Sequence, residues 1–278
     1  MKYIIVTGAS TGIGRAIVEY YLKKGDFVFG SVRKETDATQ LKFFLGDRFE
    51  PLIFDVRDGE AIKKAVEIVK KRVSTEGVAL LVNNAGIAVS GPLQHLSIEE
   101  YQMQFDINVF GVQRVTQAFL PLLGASLKTE MRQKGMIINI SSISSMVTTP
   151  FLGAYSASKI ALEYWSDALR RELSIYNIRV VNILPGAVKT EIWGKARADI
   201  NYYPETDYAP LLQKFQNLIE KSEKSAIPAS EVAIFVDRIA QKQKPLTRYI
   251  IAPNRWLVKF ASILPHRLVD KILTRGFT

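Results

Sequence analysis

"KYIIVTGASTGIGRAIVEYYLKK", residues 2–24, runs from a short apolar stretch through three glycines into an amphipathic pattern. KYIIVT reads as a buried strand, the segment holding Gly8, Gly12 and Gly14 as a turn, and RAIVEYYLKK as the helix that follows. Glycine has three jobs in such a turn. It permits the tight change of direction, lets backbone N–H groups approach a pyrophosphate, and lets the helix pack close to the sheet with its N-terminus facing the anion. The spacing GxxxGxG departs from GxGxxG, but its place directly after the first strand predicts a nucleotide site, with Ser10, Thr11 and Ile13 between the glycines. No Gly-Lys-Ser/Thr follows, which argues against a Walker-type NTPase.

Outward from this turn, KYIIVT, FVFGSVR, EPLIFD, ALLVNNAG, MIINISS, IRVVNILP and TRYIIAP are mostly apolar, as strands buried on both faces should be. Helical patterns fall at about 13–36, 58–74, 97–124, 155–177 and 229–242. The alternation predicts an α/β fold, a doubly wound Rossmann-type parallel sheet flanked by helices, in one domain over residues 1–253. Ala187 to Pro228 breaks the rhythm with a long segment carrying Trp193, Tyr202, Tyr203, Tyr208 and Phe215. It must emerge beyond the carboxyl end of the sixth strand, where open α/β sheets bind ligands, so it reads as a substrate lid; an aromatic flap completing the core is the alternative.

The end of the second strand bears on the choice of nicotinamide cofactor, since a carboxylate there binds a ribose 2′-OH and repels a 2′-phosphate. The chain reads GSVRK: Val32 stands where the acid is expected and Arg33 follows, so the local charge favours a phosphate and predicts NADP(H). Asp55 and Val56, ending the third strand, should flank the adenine.

Composition narrows the chemistry. The 278 residues include no cysteine, which removes disulfides, thiolate metal sites and cysteine nucleophiles. His95 and His266 lie far apart without ligand-like spacing, so neither a His-based metal centre nor a Ser/His triad is expected. Of the formal charge of +10, much sits at the end: from Gln241 onward eight Lys/Arg face the single acid Asp270. NRWLVKFASILPHRLVDKILTRGF places Trp256, Leu257, Phe260 and Leu264 at helical spacing, breaks at Pro265, and resumes with Leu268, Val269, Ile272 and Leu273. Residues 254–278 therefore read as a basic amphipathic helical extension that packs on its own domain, edges the substrate entrance, or lies on an anionic membrane surface. No apolar run approaches the roughly 20 residues needed to span a bilayer. Nucleic-acid binding is not expected, because the basic residues interleave with core-type aliphatics in no recognised module.

GAYSASKIALEYW, residues 153–165, sets Tyr155 and Lys159 one helical turn apart, a spacing that Tyr20 and Lys24 share. Context separates them. TGASTGIG, NNAG at 83–86, NISS at 139–142, YSASK at 155–159 and PGAVKT at 185–190 occur in order, and together the sequence strongly resembles the short-chain dehydrogenase/reductase family over about residues 2–252. The resemblance implies a catalytic tetrad of Asn108, Ser142, Tyr155 and Lys159. Tyr155 would be general acid in reduction and base in oxidation, with Lys159 and an oxidised nicotinamide favouring its phenolate. Ser142, thirteen residues before the tyrosine, would hold the substrate oxygen, and Asn108 would fix a water beside the lysine. It also implies that Asn83 bonds across strand ends, that Ala85 and Gly86 let the cofactor lie close, and that Pro185, Gly186, Val188 and Thr190 surround its carboxamide and pyrophosphate. Tyr164 and Trp165 read as packing residues.

Lid and tail together favour a bulky lipophilic carbonyl or alcohol, steroid-, retinoid- or lipid-like, and the order of motifs is similar to the retinol and hydroxysteroid dehydrogenase-like branch. An NADP(H) enzyme in a reducing cytoplasm is expected to run toward the alcohol. The resemblance implies a cytoplasmic homodimer or homotetramer through the helices near 100–124 and 155–177. The rival reading from another class is an NADP(H)-binding sensor or scaffold with little turnover.

Overall fold

Alternate residues of the central strands face opposite layers: Ile4 and Val6 of β1 (Tyr3–Val6) join one buried cluster, and Ile5 between them joins the other. This two-sided burial is why the strands are apolar throughout rather than alternating. The computed structural model describes residues 1–127, 131, 134–192, 194, 203–253 and 255–275. Its single parallel sheet has the order β3-β2-β1-β4-β5-β6-β7, with β2 Phe27–Val32, β3 Phe49–Ile53, β4 Leu80–Asn83, β5 Met136–Ile140, β6 Arg179–Pro185 and β7 Arg248–Ile251. All seven anticipated strands are present.

The helices are α1 Gly12–Lys23, α2 Glu35–Leu45, α3 Gly59–Val73, α4 Ile98–Phe105, α5 Gly111–Phe119 and α6 Gly153–Glu172. They are followed by α7 Ala209–Lys224, α8 Ala229–Ala240, α9 Arg255–Ala261 and α10 His266–Thr274. The first helix is shorter than its anticipated 13–36: it stops at Lys23, and Gly25 (φ +89°) turns the chain into β2. The sequence reading passed over α2, whose buried residues are only Ala38 and Leu41, while Phe43 and Phe44 face solvent. Too little of its surface is buried to leave a clear periodicity.

The excursion after β6 is not a bare loop. Its stem is held where Ile227 N donates to Ala187 O (3.0 Å) and Lys189 N to Ile227 O (3.0 Å), and it contains α7. Leu212, Phe215 and Ile219 of α7 pack on Phe151 and Leu152, with Tyr203 and Tyr208 at the edge, as a satellite core apart from the two sheet layers. Of the aromatic residues anticipated in this segment, Tyr203, Tyr208 and Phe215 belong to this cluster, whereas Trp193 and Tyr202 lie outside the described residues. The tail is helical on both sides of Pro265 as anticipated, but neither α9 nor α10 contains a buried residue. No helix among the described residues is long and apolar enough to cross a membrane.

Candidate active site

At the crossing from β1 to α1 the backbone must turn through conformations closed to most residues: Gly8 has φ +68° and Gly12 φ +57°. Gly14 is required for another reason, since a Cβ there would lie 2.1 Å from Gly8 O. The turn is fastened to its neighbours by Gly8 N donating to Ser31 Oγ (3.0 Å), Asn84 Nδ2 to Thr7 O (2.9 Å), and both Asn84 N and Ala85 N to Thr7 Oγ1 (2.9 Å each). Among the described residues no side chain caps the α1 N-terminus, and its first turn holds no acid. Its N–H groups and dipole are left facing outward, a ready site for an anion.

Beyond this turn, where the strand order reverses between β1 and β4, a cavity of about 440 Å³ opens over the carboxyl ends of the strands. Gly8, Ser10, Thr11, Gly12 and Ile13 line it at one side, and Arg33, Asp55 and Val56 close one end. Ala85 and Gly86 form its floor, Ser142, Tyr155 and Lys159 the catalytic-type wall, and Pro185, Gly186, Val188 and Thr190 the far rim. Three anticipated residues are not on this wall. Gly14 supports the turn from behind. Asn83 is buried in the sheet, its Nδ2 donating to Thr116 Oγ1 (2.9 Å) and to Asn139 Oδ1 (2.8 Å), which braces the ends of β4 and β5 together. Asn108 sits in a π-helical turn, Asp106–Phe110, between α4 and α5. Its Oδ1 accepts from Ile87 N (2.9 Å), while Nδ2 donates to Ile87 O (3.0 Å) and Ser158 Oγ (3.1 Å). Both amide hydrogens are engaged, and the side chain ties the floor of the cleft to α6.

On α6 the ammonium of Lys159 lies 5.7 Å from the centroid of the Tyr155 ring and donates to Ile140 O (2.8 Å) at the end of β5. Both residues are buried, at 6% and 8% exposure. Burial pushes Lys159 down to about 8, with the Glu163 carboxylate pushing back. Burial also raises Tyr155 above the ordinary phenol value, opposed by hydrogen bonding with Ser142. With its value raised, the phenol is held in its protonated form. Ser142 Oγ accepts from Ser144 N (3.1 Å), at the start of a short 3₁₀ turn that aims Ser142 at the cavity.

At the opposite end Arg57 grips Asp55, with Nε to Oδ1 and Nη2 to Oδ2 both at 2.9 Å, and holds its carboxyl below the ordinary value. Arg33 adds a weaker pull on the same carboxylate. Sequence reasoning missed Ser31, Met103 and Ile107 on the cavity wall, because a serine inside a strand and an apolar residue in a helical run have no local signature, and it named the motif around Asn84 without singling that residue out. Tyr164 corrects another expectation: it is exposed, while Trp165 donates from Nε1 to Gln113 Oε1 (2.6 Å).

A second cavity, of about 330 Å³, meets the first at Ser142 and Gly186. Leu152, Phe215, Leu218 and Ile219 wall it from the domain and α7, and Leu257, Val258 and Ala261 from α9.

The chain is similar to known proteins along most of its length. A 3-dehydrocapnine reductase of Ornithobacterium rhinotracheale, named as NADPH-dependent, is 45% identical over 98% of this chain and 96% of its own length. A 3-ketodihydrosphingosine reductase of Bacteroides thetaiotaomicron is 30% identical, covering 98% of this chain and 96% of that protein. The crystal structure of a short-chain dehydrogenase from Streptomyces avermitilis superposes with a TM-score of 0.78 at 27% identity, spanning 100% of this chain and 98% of the other. The family model described as short chain dehydrogenase matches residues 2–201, which run from the glycine turn past the Tyr–Lys helix and the PGAVKT strand end. With that match and a 45% identical relative along nearly its whole length, the chain belongs to the short-chain dehydrogenase/reductase family.

Proposed function

We propose that the protein is an NADPH-dependent reductase that converts a lipophilic ketone or aldehyde to its alcohol, with Tyr155 as the proton donor. The observation that carries this reading is the single cavity joining an uncapped helix N-terminus and Arg33 at one end to Ser142, Tyr155 and Lys159 at the other. The residues fit the cofactor. Gly8 and Gly12 clear room for a pyrophosphate, and Arg33, which makes only the weaker of the two cationic contributions at Asp55, can pair with a 2′-phosphate. NADPH, when bound, supplies the hydride. The chain supplies the proton and the orientation: Ser142 donates a hydrogen bond to the carbonyl oxygen, and Tyr155, protonated through burial, delivers its proton to the alkoxide as it develops. Lys159, anchored by donating to Ile140 O, stabilises the phenolate left behind, which regains its proton from bulk water at the open end of the cleft. A relay through Asn108 would use its main-chain oxygen, since both amide hydrogens are engaged.

The second cavity supports a lipophilic substrate. It opens at Ser142, where the carbonyl is held, and its walls are mainly aliphatic or aromatic. The relatives named for 3-dehydrocapnine and 3-ketodihydrosphingosine support ketone reduction. We assign residues 1–253 to the catalytic domain with its lid, and the basic tail to contact with an anionic membrane surface. Homo-oligomerisation is supported by exposed Phe110, Ile160 and Tyr164 on and beside α5 and α6.

An NADPH-oxidation screen over steroid, retinoid, long-chain and short-chain ketones tests the reading. Tyr155→Phe should abolish turnover of whichever ketone is best while NADPH affinity, followed by its fluorescence, stays within about 2-fold. Retained turnover in that variant would refute the mechanism. NADPH binding without turnover of any carbonyl would favour the sensor reading.

A further inference from the structure

Glu163 has no part in the mechanism above, yet it is one of the most deeply buried carboxylates in the protein, at 2% exposure. It lies on α6 one turn beyond Lys159 and two beyond Tyr155. Its Oε2 accepts from Arg248 Nε (2.6 Å) at the start of β7, and its Oε1 from Ser141 Oγ (2.8 Å) and from Ser145 Oγ. Ser145 Oγ also lies 2.6 Å from Ser142 O and has one proton to share between the two acceptors. The two serines bracket Ser142. The carboxylate therefore touches the residue before the substrate-orienting serine and a residue just after it, and it shares its helix with the proposed proton donor.

A buried carboxylate is costly unless it is paired and hydrogen-bonded, and removing one partner leaves the other charge stranded. Here the cations facing Glu163 are Arg248 from β7, about half exposed, and buried Lys159 from α6 itself; the groups from the β5 turn are the neutral hydroxyls of Ser141 and Ser145. Hydrophobic residues could fill this space more cheaply, so the charge calls for a functional account.

We propose that Glu163 is a positioning residue for the reduction: its carboxylate ties the turn carrying Ser142 to α6 and to β7, and it presents a fixed negative charge that keeps Lys159 an ammonium. The inference rests on the reading of Tyr155 and Lys159 given under the proposed function. Arg248 tempers that charge from the other side, so the two residues act on Lys159 in opposite senses. Removing the carboxylate makes the buried ammonium easier to deprotonate, and removing the guanidinium makes it harder.

The test is the pH profile of kcat for Glu163→Gln and Arg248→Met, measured with NADPH and the best ketone of the screen. Glu163→Gln should move the high-pH limb down by about one unit. Arg248→Met should move it up by roughly half a unit, the smaller effect reflecting solvent screening of a half-exposed group. NADPH affinity should change less than about 2-fold in both. A purely structural Glu163 would lower kcat by the same factor at every pH, and unmoved limbs, or limbs moving in the same direction, overturn the proposal. If Glu163→Gln does not fold, the upward shift in Arg248→Met decides alone: its presence supports the proposal and its absence overturns it. Tyr155→Phe in parallel separates the two failures, because an active Tyr155→Phe condemns the underlying mechanism, whereas an inactive one with unmoved limbs condemns only the role given to Glu163.

Discussion

Tyr20–Lys24 and Tyr155–Lys159 share nearly the same local geometry, with the ammonium 5.8 Å and 5.7 Å from the respective ring centroids. What differs is the third partner. Tyr20 Oη and Lys24 Nζ both donate to Asp237 of α8, at 3.0 and 2.7 Å, and the first pair is a clasp between α1 and α8. Lys159 instead reaches a main-chain carbonyl inside a cavity, where its charge is poorly solvated. Its native value of about 8 lies below the ordinary 10.5, so between those pH values the folded protein binds fewer protons than the unfolded chain, and folding stability rises with pH. Below pH 8 the burial cost is present in full. Lys159→Met should therefore be inactive yet more stable by about 2 kcal/mol at pH 7, roughly 3 kcal/mol of relieved desolvation less one lost hydrogen bond. Urea denaturation at pH 7 and pH 10 checks this: the advantage should shrink at the higher pH. Arg33→Ala should weaken NADPH at least about 10-fold while leaving NADH nearly unchanged, as read by fluorescence titration, because a charged phosphate contact is worth roughly 1.5–3 kcal/mol. These residues were legible because each belongs to a spaced motif. Glu163 was not, since its three partners come from a turn and a strand distant in sequence.

At the scale of elements, the seven strands were legible from apolar runs bounded by turns, and the long helices from their periodicity. The π-helical turn at Asp106–Phe110 was not, because it inserts its extra residue inside an otherwise continuous helical pattern. Nor was α7, whose apolar face packs on Phe151 and Leu152 rather than on the sheet. This helix walls the second cavity together with α9, and half-buried Ser222 of α7 faces the same space. Ser222→Trp should fill part of it. Excluding about four methylenes at about 0.8 kcal/mol each predicts a loss of roughly 200-fold in kcat/KM for long-chain ketones. A short-chain ketone should lose less than about 3-fold. Equal losses for both, measured by NADPH oxidation, would mean that the cavity does not hold the chain.

At the scale of the whole molecule, α9, α10 and the residues that flank them present Trp256, Phe260, Ile263 and Ile272 to solvent beside Arg255, Lys259, Arg267, Lys271 and Arg275. An anionic bilayer surface contributes about 1 kcal/mol per adjacent basic side chain. The protein should float with vesicles rich in phosphatidylglycerol and not with pure phosphatidylcholine, and the triple variant K259E/R267E/K271E should lose flotation while remaining folded. Flotation unaffected by the charge reversal would assign the tail to packing against protein instead. The doubly wound sheet, the glycine turn and the Tyr–Lys helix were all readable from the residues alone, because each rests on local patterning: strand hydrophobicity, glycine where only glycine fits, and one turn of helix between two side chains. Which of two like-spaced Tyr–Lys pairs is enclosed, the burial that raises the Tyr155 phenol, and the meeting of Glu163 with Ser141, Ser145 and Arg248 came only with the packed fold. Desolvation and charge pairing depend on what surrounds a group in space, and that is set by chain crossings far apart in the sequence.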